Sequence, residues 1–303
     1  MSFSTDVKKE ISMNIPGARH CQIAELAALF EFGGKYISSE RRMEFQTENS
    51  LAAKLYFTLV QKLCTIRCDV RVMRSRDTVY LLNIYDDDAE RVAEMLKLDK
   101  TRDSVNEMLV EKMCCRRSFV SGAFLAAGSV NNPARSYHLE IVCASENQAD
   151  KLVGLINSFD LESRIVQRKK YFVVYLKDGG QIIDMLNVME AHQSLMNMEN
   201  TRIVKEMRNA VNRRVNCETA NITKTVNAAV KQVNDIEYIK ASGAFMTLSE
   251  PLRQLAELRL SHPEASLKEL GSLLDTNVSK SGVNHRLRRL SEIADDLRHK
   301  AGS

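Results

Sequence analysis

The feature that most restricts the fold of this chain is that it repeats itself. "FQTENSLAAKLYFTLVQKL", from Phe45, is echoed by "IVCASENQADKLVGLINSF", from Ile141, with Glu48-Asn49 answering Glu146-Asn147 at an offset of 98. "TVYLLNIYDDDAERVAEML", from Thr78, is matched by "KYFVVYLKDGGQIIDML", from Lys170. Upstream, "AELAALFEFGGKY" (Ala24 to Tyr36) is matched by "SFVSGAFLAAGSV" (Ser118 to Val130), with Gly34 answering Gly128 at an offset of 94. A period this long describes two related subdomains, not a solenoid. Each copy reads as a helix, two strands, a helix, two strands and a helix, an α+β subdomain with an antiparallel sheet.

The leading helix of each copy carries small residues: Ala24, Ala27 and Ala28 in the first, Ser121, Gly122 and Ala126 in the second. Small side chains let two helices approach closely, so the expected arrangement packs these helices against each other on a pseudo-twofold axis. The two sheets then lie side by side as one saddle.

These residues carry a resemblance. "LAALFEFGG" (Leu26 to Gly34) and "VSGAFLAAG" (Val120 to Gly128) stand where the LAGLIDADG homing endonucleases have their signature helices, and "FVSGAFLAAGS" is similar to the common form of that motif. The resemblance implies a pseudo-twofold α+β domain of two α-β-β-α-β-β-α halves. In that family the last acid of each motif binds a divalent metal beside the scissile phosphate. Hard Mg²⁺ needs carboxylate oxygen. Here those positions are Gly33 and Ala127, which offer no ligand, and Glu31 lies about 200° round the helix from Gly33. The expectation is therefore a scaffold without catalytic residues, metal or cofactor. Its strand candidates carry Arg67, Arg71, Arg74 and Arg76 in the first half and Arg164, Arg168, Lys169 and Lys170 in the second. They suit phosphate contact. They equally suit the polar outer face of a half-solvated sheet, or a protein-binding face, and Asp86 to Asp88 weaken a DNA footprint.

The C-terminal third carries a second signal. In "SLKELGSLLDTNVSKSGVNHRLRRL", Ser266 and Glu269 form a capping box, and Leu267, Leu270 and Leu274 follow as an apolar stripe. Asp275 to Val278 supply a turn. Ser279 caps a second helix, in which Val283, Leu287 and Leu290 face inward. With a preceding helix at roughly 251–260, which opens on Pro251 and ends before His262-Pro263, this is a helix-turn-helix unit. The helix from Ser279 to Leu290 has four basic residues and no acid. Its candidate DNA contacts are Ser279, Lys280, Ser281, Asn284, His285, Arg286, Arg288 and Arg289, types that reach base edges and phosphates. A basic packing helix that binds nothing is the alternative.

Between these regions, residues 202–231 hold seven basic residues against Glu206 and Glu218. Gly and Pro are absent from 207–232, which argues against a flexible tether. A short hinge near Asn216 to Ala220 is expected, with helices on both sides and Val226, Ala229, Val230 and Val233 as a core stripe. Arg213 and Arg214 either contact phosphates or help dock the domains. The expected division is an N-terminal segment at 1–15, the LAGLIDADG-like domain at 16–197, a linker or hinge at 198–220, and an all-α helix-turn-helix domain at 221–303.

Taken together, the degenerate motif pair, "NRRVNCETANITKTVNAA" (Asn212 to Ala229) and "ASLKELGSLLDTNVSKSGVNHRLRRL" (Ala265 to Leu290) resemble the bacterial WhiA regulators over almost the whole chain. The resemblance implies a sequence-specific transcription factor linked to sporulation, cell division or chromosome segregation. Its implied partners are double-stranded DNA at promoters and, beyond it, other transcription proteins or RNA polymerase. The implied DNA contacts are those of the helix from Ser279 to Arg289.

The remaining composition excludes other classes. No apolar run approaches a membrane span, and residues 1–10 lack a signal peptide's apolar core, so the cytoplasm, at the nucleoid, is expected. Seven cysteines without a CxxC pair argue for reduced thiols. Cys64 and Cys68 share a helix spacing, but no adjacent His or second Cys pair completes a metal site around them.

Overall fold

The structure, a computed structural model, describes residues 2–74, 77–99, 104–274 and 276–301. Arg76 and Asp275, named above for a strand and a turn, lie outside the described residues. The chain divides between Glu206 and Met207 into two compact units.

In the first unit the repeat becomes two copies of one topology. The first copy is α2 (Arg19–Gly33), β1 (Gly34–Ile37), β2 (Arg42–Thr47), α3 (Ser50–Cys64), β3 (Asp69–Arg74), β4 (Thr78–Tyr85) and α4 (Asp86–Met95). The second is α5 (Met113–Ala127), β7 (Gly128–Val130), β8 (Leu139–Cys143), α6 (Glu146–Asn157), β9 (Arg164–Arg168), β10 (Tyr171–Leu176) and α7 (Gly179–Val188). Both sheets are antiparallel, in the equivalent orders β1-β2-β4-β3 and β7-β8-β10-β9. This is the α-β-β-α-β-β-α half expected from the sequence, formed twice. A two-stranded ribbon, β5 (Leu98–Asp99) with β6 (Ser104–Val105), links the copies.

α2 and α5 pack on each other because their contact faces are nearly bare. A Cβ at Gly122 would lie 2.7 Å from the Glu25 carbonyl oxygen and 3.0 Å from the Ala28 Cβ. Polar bonds repeat the symmetry at the C-terminal ends of these helices. Asn49, the N-cap of α3, donates from Nδ2 to the Leu125 carbonyl at 3.3 Å. Gln148 of α6 donates from Nε2 to the Glu31 carbonyl at 2.8 Å. Residues 31 and 125 are equivalent in the repeat, so each half secures the other's helix.

The N-terminal segment is itself a helix, α1 (Phe3–Met13), which buries Val7 and Ile11 in the main core. Its Glu10 carboxylate accepts from the amides of Gln193 (2.6 Å) and Ser194 (3.0 Å), the orphan donors that open α8 (His192–Ala241). The expected hinge is corrected here: α8 runs unbroken through 198–220 for 50 residues. No Gly or Pro interrupts it. Its threonines fold their hydroxyls back onto the preceding turn, as Thr201 does to Asn197 and Thr223 to Thr219. Val226 and Val230, expected in a core, are about half exposed (53% each), and the residues of α8 that enter the second core are Ile236 and Ile239.

The second unit continues from α8 with α9 (Glu250–Ser261), α10 (Leu267–Leu273) and α11 (Lys280–Ala301). They enclose a core of Leu255, Ala256, Leu270, Leu274, Val283, Leu287, Leu290 and Ala294. The buried Asp235 carboxylate meets Arg298 at 2.7 Å and ties α8 to the end of α11.

Candidate nucleic-acid interface

The helix-turn-helix geometry follows from a few residues. Ser266 and Glu269 close the expected capping box, with the Ser266 amide donating to Glu269 at 2.7 Å and the Glu269 amide donating to Ser266 Oγ at 3.3 Å. Arg259, buried in α9, donates from Nη1 to the carbonyls of Pro263 (3.2 Å) and Ala265 (2.7 Å) and fixes the loop into α10. The turn into α11 is tight because Gly271 has no side chain. A Cβ there would overlap the Val278 carbonyl oxygen and stand 3.2 Å from Val283 Cγ2. The Val278 amide donates to the Gly271 carbonyl at 3.0 Å, which locks the turn.

α11 begins where the sequence placed it. Ser279 Oγ accepts from the Gly282 amide at 3.3 Å and lies 3.0 Å from Ser281 Oγ. Val283, Leu287 and Leu290 are buried, at 0–1% exposure, so the opposite face is set outward. That face presents Lys280, Ser281, Asn284, His285, Arg288 and Arg289 to solvent, while Arg286 is half-buried on the flank. Arg289 pairs with Glu292 at 2.8 Å in an exposed i,i+3 contact of the weak kind. Among the described residues, no acid pairs with Lys280, Arg286 or Arg288. Arg213 and Arg214 are exposed on α8, where Arg213 Nε donates to the Asn209 carbonyl at 3.3 Å.

The first unit's motif helices end at Gly33 and Ala127. A Cβ at Gly33 would lie 2.7 Å from Phe45 Cε2, and Phe45 is stacked on Tyr56 at 4.3 Å, so that end has no room for a carboxylate. Beside it, Lys8, Gly33, Phe45, Glu48 and Ala126 line a cleft of about 540 Å³. Burial pulls the Lys8 ammonium down to about 8. Glu31 points elsewhere. Its carboxylate is 4% exposed, receives Lys151 Nζ at 2.9 Å and accepts from the Val105 amide at 3.1 Å.

Two of the candidate sheet cations are paired with acids. Arg71 meets Asp69 at 3.3 Å, and Arg168 meets Glu140 at 2.9 Å. Arg67 precedes β3 in a loop, and Lys170 lies over the Tyr171 ring at 5.1 Å. Arg74 pairs in register with Thr78, on the same side of the sheet as Val70 and the core residue Leu82. Val142, Val166 and Tyr171 are exposed on the outer face of the second sheet.

The cysteines hold what the sequence reading missed. His20 and Cys21 open α2, and Cys114 and Cys115 open α5. The Nδ1 of His20 is 3.3 Å from Cys21 Sγ and 3.2 Å from Cys115 Sγ, and the four side chains form one cluster. Burial first, then Cys114, pushes the Cys21 thiol up to about 12; the same causes raise Cys115. The offset of 94 that aligns Gly34 with Gly128 also aligns His20-Cys21 with Cys114-Cys115, and that was the available signal.

The fold and the site define a class: a degenerate LAGLIDADG-like domain, without the metal-binding acids, joined to a helix-turn-helix unit. Family comparison agrees with each part. The WhiA N-terminal LAGLIDADG-like domain matches residues 19–99, the WhiA LAGLIDADG-like domain residues 116–208, and the WhiA C-terminal HTH domain residues 211–294. A probable cell division protein WhiA of Lachnoclostridium phytofermentans is 46% identical over 98% of this chain and 100% of its own length. Relatives of the same name in Clostridium novyi and Clostridium botulinum (strain Hall) are 45% and 40% identical, each over 98% of this chain and 99% of their own. The crystal structure of full-length WhiA from Thermatoga maritima superposes with a TM-score of 0.63 at 25% identity, covering 98% of this chain and 99% of that one. The chain belongs to the WhiA family. Among its described residues, no helix is long and apolar enough to cross a membrane.

Proposed function

We propose that this chain is a non-catalytic, sequence-specific DNA-binding regulator of transcription, acting at promoters in cell division, chromosome segregation or sporulation. One observation carries the reading: α11 turns an acid-free face of Lys280, Ser281, Asn284, His285 and Arg288 to solvent from a rigid, capped scaffold. Arginine and asparagine read guanine and adenine edges in the major groove, and the N-terminal residues of a recognition helix are those that reach them. Ser279, Lys280, Arg286 and Arg289, with Arg213 and Arg214 on α8, take phosphate roles that set register without reading sequence. The non-catalytic part rests on Gly33 and Ala127, which bear no ligand. The reading puts the protein in the cytoplasm, on the nucleoid.

A second role is favoured for the sheets. Arg71 and Arg168 are paired with Asp69 and Glu140, and Val142, Val166 and Tyr171 stand exposed. That chemistry suits a protein partner, such as another transcription protein or RNA polymerase, better than a phosphate backbone.

The test is capture of fragmented genomic DNA by the purified protein with Mg²⁺ present, alongside an Arg288→Ala, Arg289→Ala variant. Enrichment of a few intact promoter fragments, lost in the variant, is the expected result. Cut fragments would contradict the non-catalytic assignment. Uniform capture unchanged in the variant would contradict the recognition helix.

A further inference from the structure

The cluster at the N-terminal ends of α2 and α5 has the composition of a metal centre. Three sulfurs and one imidazole nitrogen, from Cys21, Cys114, Cys115 and His20, all lie within 4.8 Å of one another. No carboxylate belongs to the set. Four ligands about a tetrahedral zinc, at about 2.0–2.3 Å from the ion, stand about 3.5–3.8 Å apart. The His20 Nδ1 to sulfur distances of 3.2 and 3.3 Å are already close to that edge, so an ion fits with shifts of well under an ångström at those two contacts. We propose that these four side chains bind one Zn²⁺ ion as a Cys₃His structural site that staples the two repeat halves together.

The donor set selects the metal. Thiolate and imidazole are soft-to-borderline ligands that suit zinc, while Mg²⁺ and Ca²⁺ take oxygen. Four protein ligands leave no open position, which marks a structural site and not a hydrolytic one. An iron–sulfur cluster ordinarily takes four cysteines, and here the fourth ligand is a histidine.

The surroundings suit the charge that binding creates. Zinc binds thiolates, so three protons leave and the occupied site carries one net negative charge. The positive ends of two helix dipoles converge on it, because both residue pairs sit in the first turns of α2 and α5. Lys112, the N-cap of α5, adds a positive charge that acts on Cys115. Cys21 and Cys115 are buried, at 5% and 4%, and form the floor. His20 and Cys114 are exposed and form the rim through which the ion enters.

The position explains what the staple does. The main core of the unit runs without interruption beneath both sheets, but Cys21, Ala24 and Cys115 form a small separate cluster that the main core does not include. The C-terminal ends of α2 and α5 are tied by Asn49 and Gln148. The zinc supplies the tie at the other end. The two ligand pairs stand at equivalent positions of the repeat, so the packing of α2 on α5 brings both halves of the ligand set together.

The experiment is metal analysis of the full-length protein, purified under reducing conditions from cells supplied with zinc and desalted, followed by cobalt substitution. One zinc per chain is expected. Cobalt is expected to give the thiolate charge-transfer band and intense visible bands of a tetrahedral, sulfur-rich site. Cys114→Ser alters an exposed rim position and is expected to leave the fold intact by circular dichroism. Loss of a mere hydrogen-bonding neighbour of a ligand costs about 10–100-fold in metal affinity, so loss of this ligand is expected to exceed that. Cys217→Ser, in exposed α8, is expected to bind zinc normally. A folded, reduced protein that takes up neither zinc nor cobalt overturns the proposal. So does iron with inorganic sulfide in place of zinc. None of these readouts depends on DNA binding, so this site and the promoter reading fail independently.

Discussion

Replacing Gly271 by alanine sets two effects of opposite sign against each other. Gly271 lies inside α10, where alanine is favoured over glycine by about 1 kcal/mol. If the helix were isolated, the substitution would stabilise it. In this fold the new methyl group overlaps the Val278 carbonyl oxygen and crowds Val283 Cγ2 at 3.2 Å. Overpacking of that kind costs about 1–3 kcal/mol. Moving the turn away from α10 also stretches the hydrogen bond from the Val278 amide to the Gly271 carbonyl, 3.0 Å long, worth about 0.5–1.5 kcal/mol. The net expectation is a loss of about 2 kcal/mol, centred on the α10–α11 turn. Amide hydrogen exchange on the full-length protein is the assay, and α10 and α11 amides should exchange about 30-fold faster. Gly154→Ala in α6 is the control, because nothing lies within 4 Å of its Cβ position; that variant should gain stability. Slower exchange in Gly271→Ala would refute the steric account of the turn.

Three further outcomes follow from other residues. Burial, aided by Glu190, raises Glu25 to about 8, so the folded protein keeps a proton that the unfolded chain releases near the usual 4.5. Stability should be highest below that range and fall as pH rises toward 8, by up to about 5 kcal/mol, and Glu25→Gln should flatten the profile in urea unfolding. Gly33→Asp should not create a nuclease: the side chain meets Phe45, and the melting temperature should drop, whereas DNA cleavage with Mg²⁺ by this single variant would contradict that geometry. Affinity for DNA should fall with salt at a log–log slope of roughly −0.9 per phosphate neutralised, and a slope near zero in fluorescence anisotropy would remove phosphate contact from the account.

The repeat was legible because duplication preserves the order of apolar periods and caps even where identity has drifted. Glu48-Asn49 and Glu146-Asn147 marked the start of α3 and α6, and Gly34 and Gly128 marked the strand after each motif helix. The helix-turn-helix unit was legible for a local reason: Ser266, Glu269 and Ser279 write the helix starts into the sequence. What was not legible depends on contacts distant in sequence. Nothing near Glu10 shows that its carboxylate caps α8, 183 residues away. The unbroken run of α8 is obscured in the sequence by Asn and Thr, residues with a loop preference, which the threonines give up when their hydroxyls bond back to the helix. The thiol cluster leaves no sign among each cysteine's chain neighbours. Its sign lies in the repeat, where His20-Cys21 faces Cys114-Cys115.

The central claim is that α11 reads sequence with an acid-free face, and one comparison tests it directly. A promoter fragment captured by the protein is titrated against a scrambled fragment of equal length, with wild-type protein and with Arg288→Ala, at fixed salt. Arg288 is exposed and unpaired among the described residues, so its removal leaves the core of Leu255, Leu287 and Leu290 untouched. The account predicts that the variant loses about 1–3 kcal/mol on the promoter fragment and much less on the scrambled one, so that discrimination collapses. Equal loss on both fragments, or none on either, would contradict it.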